Sequence, residues 1–106
     1  MSLNNKLSQP AVRAFVAAVN ATDRKALWAT LTPDASMSDD NMDHNLVEWA
    51  EREIFGSHPR MDVEWESDDG LSLRARYHND IWGDLSSAWT FTLTDGKISH
   101  FEAGPG

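Results

Sequence analysis

Apolar residues return at two different spacings along this chain, and the change between them separates a helical part from a sheet part. Val12, Phe15, Val16 and Val19 recur at helical spacing among alanines, giving a broad apolar face that allows close approach to a neighbour. Ser8 as N-cap, Pro10 in the first turn and a Leu7–Val12 staple predict where this helix starts, after a short polar arm from Met1 to Lys6. Thr22 is then read as the cap of a second, short helix with Asp23 in its first turn, Leu27 and Leu31 on its inner face and Pro33-Asp34 at its end. Beyond a short strand, Asp43 is read as the cap of a third helix with a Met42–Val47 staple. Its buried stripe is Leu46, Val47, Ala50 and Ile54, Glu48 and Arg52 pair outside, and Gly56 takes the left-handed terminal position.

Between the second and third helices the period is two. Ala35, Met37 and Asp39 share one face of a strand, and Ser36, Ser38 and Asp40 the other, so Asp39 points where Met37 points. From His58 onward the alternation is sustained. Met61, Val63 and Trp65 alternate with acids, Asp68-Asp69-Gly70 turns the chain, and Leu71, Leu73, Ala75 and Tyr77 alternate with polar residues: a hairpin. Leu85, Ser87, Trp89, Phe91 and Leu93 begin a second hairpin that turns at Asp95-Gly96 into Lys97 to Ala103. A two-residue loop there sets Phe91 against His100 and Trp89 against Glu102, whereas a Thr94-Asp95-Gly96 loop with a bulge sets Trp89 against Phe101. The bulged form is preferred, because it keeps Phe101 and Ala103 with the aromatic face; it places Ile98 outside.

At 106 residues and 41% hydrophobic composition, the chain is long enough for a single domain, 1–106, with its own core. A net charge of −8 with nine basic residues scattered among acids gives no basic patch, which opposes nucleic acid and anionic membrane surfaces as partners. The absence of cysteine removes disulfides and thiolate chemistry. MSLNNKLSQP lacks the apolar run of a signal peptide and no later stretch could span a bilayer, so a soluble, cytoplasmic protein is expected. Asp39, Asp40, Asp43 and His44 lack the ordered ligand spacing of a calcium or magnesium loop, and neither metal nor cofactor is expected.

Helices followed by a curved antiparallel sheet resemble the α+β, cystatin-like fold of the nuclear transport factor 2-like superfamily, a cone around one pocket. Within it, VRAFVAAVNATDRKALWATLTPDASMSDD is similar to the opening of the ketosteroid isomerase and SnoaL-like branches, where a long helix, a short Asp-led helix and a D-A-x-x-x-D strand follow in order. The likeness runs through the terminal TDGKI hairpin. It implies that the first two helices close one side of the pocket and that the strand delivers Asp39 into it, at the place of the isomerase's catalytic base. Phe15 takes the place of the oxyanion-hole tyrosine and Trp89 that of the second, carboxylic acid donor. Phe15 has no polar hydrogen and an indole N–H is a weaker donor, so steroid isomerisation by the family mechanism is not expected.

The candidate catalytic residues are therefore Asp39 and Tyr77. Asp39 beside apolar side chains would be a general base, against the alternative of a solvated leader to the next helix that exchanges roles with Asp40. Tyr77 would donate its hydroxyl to a ligand or, as is somewhat more common for a core tyrosine, to backbone or water. Phe15, Trp49, Trp65, Trp89, Phe91 and Phe101 are candidates to line the pocket or to fill the core. Trp28 and Trp82 are candidates for a dimer contact, and His58, His78 and His100 are read as surface residues. Three readings follow: an enzyme of proton transfer or hydration with isomerase-, cyclase- or hydrolase-like chemistry, a non-catalytic site for a small apolar ligand, and an association module. The favoured one is a SnoaL-like small-molecule pocket, with a homodimer formed through the outer sheet face of Ala88, Thr90, Thr92, Ile98 and Ser99 or His100.

Overall fold

The computed structural model describes residues 2–106, so Met1 lies outside the described residues. Helix α1, Pro10–Ala21, buries Val12, Phe15, Val16, Ala18 and Val19, as its apolar face requires. Its start differs from expectation: Gln9 occupies the N-cap position without a side-chain bond. The Ser8 hydroxyl instead donates a charge-assisted bond to the Glu66 carboxylate at 3.2 Å. Thr22 is not the second cap but the left-handed residue, φ 48°, that ends α1. Asp23 caps α2, Arg24–Ala29, by accepting the Ala26 N–H at 3.0 Å, and its charge complements the helix dipole.

Leu31 does not belong to α2. It opens strand β1, Leu31–Asp39, and Pro33-Asp34 lies inside that strand, in the interval between Leu31 and Ser36 where the pairing register is broken. A missing proline N–H is harmless where no ladder bond is due. Asp40 and Asn41, with φ 52° and 64°, form the tight turn of a small hairpin that sets Asp39 opposite Met42 on β2, Met42–His44. Asp43 is thus a strand residue, and Asn45 is the true cap of α3, Leu46–Ala50, accepting the Glu48 N–H at 3.0 Å. Met42 and Val47 are exposed and form no staple. The helix continues as a π-helical turn, Glu51–Phe55, and its buried residues are Trp49, Ala50, Glu53 and Ile54. Glu51 of this turn pairs with Arg24 at 2.6 Å. Gly56 has φ −101° rather than a left-handed conformation; a Cβ there would meet the Glu51 carbonyl oxygen at 2.9 Å.

Four further strands complete the sheet: β3, Arg60–Glu66; β4, Ser72–Asn79; β5, Gly83–Thr94; and β6, Lys97–Pro105. The order is β2-β1-β6-β5-β4-β3, antiparallel except that β1 and β6 run parallel, which the hairpin pattern alone does not reveal. Two bulges decide which side chains point inward. In β3 the register slips between Val63 and Trp65, so Trp65 turns outward, 48% exposed, with the Arg74 guanidinium 5.6 Å from its ring centroid. In β6 the turn is the two-residue Asp95-Gly96 form, with Thr94 opposite Lys97, and an irregularity follows after the Leu93–Ile98 pair. Phe91 therefore faces Phe101 and Trp89 faces Ala103, a register that neither sequence alternative describes. Phe101 stays with the aromatic face as expected, whereas Ile98 is fully buried instead of outward.

Phe15 sits at the centre of the core, its ring 6.0, 5.3 and 5.1 Å from those of Trp89, Phe91 and Phe101. Tilted and edge-on pairs of this kind stabilise by about 0.5–1.5 kcal/mol each beyond their buried area. The free edge of β3 is covered by side chains that imitate a strand: Asn20 both donates to and accepts from the Met61 backbone, at 2.9 and 2.7 Å, and Asn4 accepts the Val63 N–H at 2.9 Å. The N-terminal arm is thus part of the sheet's margin. Among the described residues no helix is long and apolar enough to cross a membrane.

Candidate functional site

A cavity of about 280 Å³ opens where the β1–β2 turn, the α3–π helical segment, the end of β4 and the start of β5 meet. Asp39 enters it as the last residue of β1, half-buried, on the face that also carries Met37. Asp40, one residue on in the hairpin turn, is exposed at the rim. Asp39 Oδ2 accepts the indole N–H of Trp49 at 3.1 Å, and Oδ1 has no hydrogen-bond donor among the described residues.

Trp49 and Glu53 are four residues apart and so share one helical face. Both are buried, with 3% and 6% exposure, and both line the cavity. The Glu53 carboxylate accepts the Trp82 indole N–H at 3.0 Å, and its backbone carbonyl is also in heavy demand. It receives the hydroxyl of Tyr77 at 3.2 Å, the amide of Asn79 at 3.4 Å and the hydroxyl of Ser57. Carbonyls at the end of a helical segment lack partners of their own, which is why side chains from β4 and the following loop converge there. Burial is the main reason the Tyr77 phenol is pushed well above its ordinary value, with the negative charges of Glu53 and, more weakly, Asp39 adding to it and the Asn79 contact opposing. Tyr77 is therefore a protonated donor, and its proton is given to the Glu53 carbonyl.

Trp89 lies on the cavity wall, but its N–H is donated to Ser87 Oγ at 2.9 Å, and that hydroxyl passes a bond on to the Ala75 carbonyl at 3.1 Å. Of the residues singled out from sequence, Asp39, Trp49, Tyr77 and Trp89 come together here. Phe15, Phe91 and Phe101 do not reach the cavity surface; they form the solid core behind it. Trp65 is on the outer sheet face, removed by the β3 bulge. The wall expected from α1 and α2 is supplied by α3 and its π turn instead. Trp82, 63% exposed, stands at the mouth. Trp28 lies elsewhere, 6.5 Å from Phe55, beside a second hollow of about 550 Å³ lined also by Leu46, Val47 and Lys97. That hollow is larger, but no carboxylate or buried hydrogen-bond network faces it.

Glu53, Asn79 and Ser87 line the cavity without having been singled out from the sequence, and Trp82, a candidate dimer contact on the sequence, lines it as well. The signals were present: Glu53 lies one helical turn past Trp49, Asn79 continues the Leu73, Ala75, Tyr77 alternation, and Ser87 precedes Trp89 by two. Among the described residues the cavity lining carries three acids, Asp39, Asp40 and Glu53, and no lysine, arginine or histidine. Among the described residues there is no cluster of histidine, aspartate and glutamate side chains fit to hold a metal ion.

No protein-family model matches the chain, and no curated protein does. Solved structures do. A candidate polyketide cyclase from Sinorhizobium meliloti is 23% identical with a TM-score of 0.76, over 88% of this chain and 92% of that one. An LEH-like epoxide hydrolase from M. tuberculosis is 15% identical with a TM-score of 0.76, over 97% and 83%. A protein of ketosteroid isomerase-like fold from Catenulispora acidiphila, solved in complex with trimethylamine, is 16% identical with a TM-score of 0.72, over 89% and 83%. The chain has the nuclear transport factor 2-like α+β fold that the sequence pattern resembles.

Proposed function

We propose that this protein binds a small molecule in the cavity beside Trp49 and Trp82 and moves a proton to or from it, with Asp39 as the general base. The observation that carries this reading is the state of Asp39: half-buried on a cavity wall, oriented through Oδ2 by the Trp49 N–H, with Oδ1 left free for a substrate proton. Glu53 is a second carboxylate in the same cavity, and Tyr77 is a positioning residue that fixes the turn carrying it. A cyclase candidate, an epoxide hydrolase and a trimethylamine complex among the structural neighbours favour a small-molecule site and leave the reaction to be assigned by experiment. Steroid isomerisation is disfavoured, since Phe15 is fully buried in the core and the Trp89 N–H is engaged by Ser87.

The test is hydrogen–deuterium exchange at the acidic carbon of small nitroalkanes, whose nitro group carries the resulting charge without a donor from the protein, in heavy water, followed by NMR, for wild type and Asp39→Asn. General-base catalysis contributes roughly a hundredfold or more, and a loss of about that size in a variant of unchanged circular dichroism is expected. Protein-dependent exchange that survives in Asp39→Asn would remove Asp39 from the role.

A further inference from the structure

The aromatic hydrogen-bond donors that line the cavity are already committed. Trp49 gives its N–H to Asp39, Trp82 to Glu53, Trp89 to Ser87, and the Tyr77 hydroxyl goes to the Glu53 carbonyl. Apart from the exposed Ser86 hydroxyl, what remains for a ligand is acceptor capacity and negative charge. Among the described residues the ion pairs lie elsewhere: Arg24 with Glu51, Arg60 with Asp62, and histidines with Asp80, Asp84 and Glu102. Neither Asp39 nor Glu53 has a cationic partner among the described residues, although Glu53 is only 6% exposed. A buried carboxylate without a counter-charge is unfavourable, and a like-charged ligand would be repelled strongly in so apolar a site. The walls are aromatic and continuous, with Tyr77 5.9 Å and Trp49 6.4 Å from Trp89, centroid to centroid, and Trp82 at the mouth. Indole and phenol rings attract cations through their quadrupoles, which carboxylates reinforce.

We propose that the ligand of this cavity is a small organic cation, an alkylammonium or quaternary ammonium group seated among Trp49, Trp82 and Trp89 with Asp39 and Glu53 as its counter-charges. The inference rests on the cavity being the ligand site, and it names the ligand's class. A volume of about 280 Å³ admits a compact head group rather than a drug-sized or polycyclic molecule. The net charge of −8 favours cation approach from a distance.

The five tryptophans supply the test, because each indole N–H gives its own signal in a nitrogen–proton NMR spectrum of the full chain. Choline is titrated against its uncharged isostere, in which a quaternary carbon replaces the nitrogen. Choline is expected to shift the signals of Trp49, Trp82 and Trp89, to leave Trp28 and Trp65 in place, and to bind at least about tenfold tighter than the isostere. Glu53→Gln and Asp39→Asn should each reduce that preference. Trp82→Leu, which removes an aromatic wall at the mouth together with the N–H that Glu53 accepts, should weaken choline binding while the circular dichroism of the fold is kept. If the isostere shifts the same three signals with equal or greater affinity, the cation proposal fails while the pocket reading stands. If neither compound moves any cavity indole at millimolar concentration, both fall.

Discussion

Phe15→Tyr is the substitution that the isomerase resemblance invites, since it restores the missing oxyanion donor at the aligned position. The structure argues that it will damage the protein without creating an isomerase. Phe15 has no exposed surface and is enclosed by Trp89, Phe91 and Phe101 at centroid distances of 5.1–6.0 Å. A hydroxyl placed there finds no partner in a cluster of rings, at a cost of about 1–3 kcal/mol for the unsatisfied group. Forcing an extra atom into a filled core adds about 1–3 kcal/mol more. The combined loss of roughly 2–6 kcal/mol is a large part of the 5–15 kcal/mol that holds a typical domain together. For a chain of this size each kcal/mol moves the melting temperature by about 4–8 °C, so a fall of at least about 8 °C is expected in a thermal melt followed by circular dichroism. Turnover of a β,γ-unsaturated cyclic ketone should stay at background, because the Trp89 N–H remains bound to Ser87. An unchanged melting temperature would show that the hydroxyl reaches the cavity or a partner, and Asp39-dependent turnover would restore the isomerase site that this account denies.

Tyr77 is the chain's single tyrosine, so tyrosinate absorbance reports on it alone. Burial and the Glu53 charge raise its folded pKa, so the native state keeps a proton that the unfolded chain releases; stability should be unaffected below about pH 10 and fall as pH climbs beyond it. Tyrosinate should then form only as the chain unfolds in alkali, and ionisation near pH 10 with the fold intact would contradict the buried phenol. Gly70→Ala should destabilise by about 1 kcal/mol or more, read from a denaturant midpoint, because Gly70 has φ 73° and an added Cβ would clash with Ser8 Oγ; a neutral result would mean that the Ser8 segment yields freely. Dimerisation through the outer sheet face is expected in sedimentation at micromolar concentration, carried by Ala88, Thr90 and Thr92 but without Ile98, which points inward. A monomer at every concentration would discard it.

Long-range periodicity made α1 and the β3–β4 and β5–β6 hairpins legible, because a buried face imposes a repeat on many residues at once. Single-residue decisions were not legible. Thr22 and Asp23, or Asp43 and Asn45, are competing cap residues a step or two apart, and only the backbone path decides which amide each can reach. β2 left no apolar trace, since Met42, Asp43 and His44 are all exposed at the sheet edge. Bulges have no repeat of their own, so the outward turn of Trp65 and the inward turn of Ile98 both escaped the alternation argument. That Asp39 shares a strand face with Met37 is legible from the alternation, because that face is short and clear. Glu53 was passed over because an acid in a helix reads as solvent-facing until the π turn is known to bury it.

The central claim, that the Asp39–Glu53 cavity is where this protein takes its ligand, is tested most directly by soaking crystals with a collection of small organic fragments and mapping where they bind. The account expects bound fragments to gather beside Trp49 and Trp82 with a polar hydrogen directed at Asp39 Oδ1. Fragments that gather instead in the larger hollow beside Trp28, Leu46 and Lys97, with none at Asp39, would contradict it.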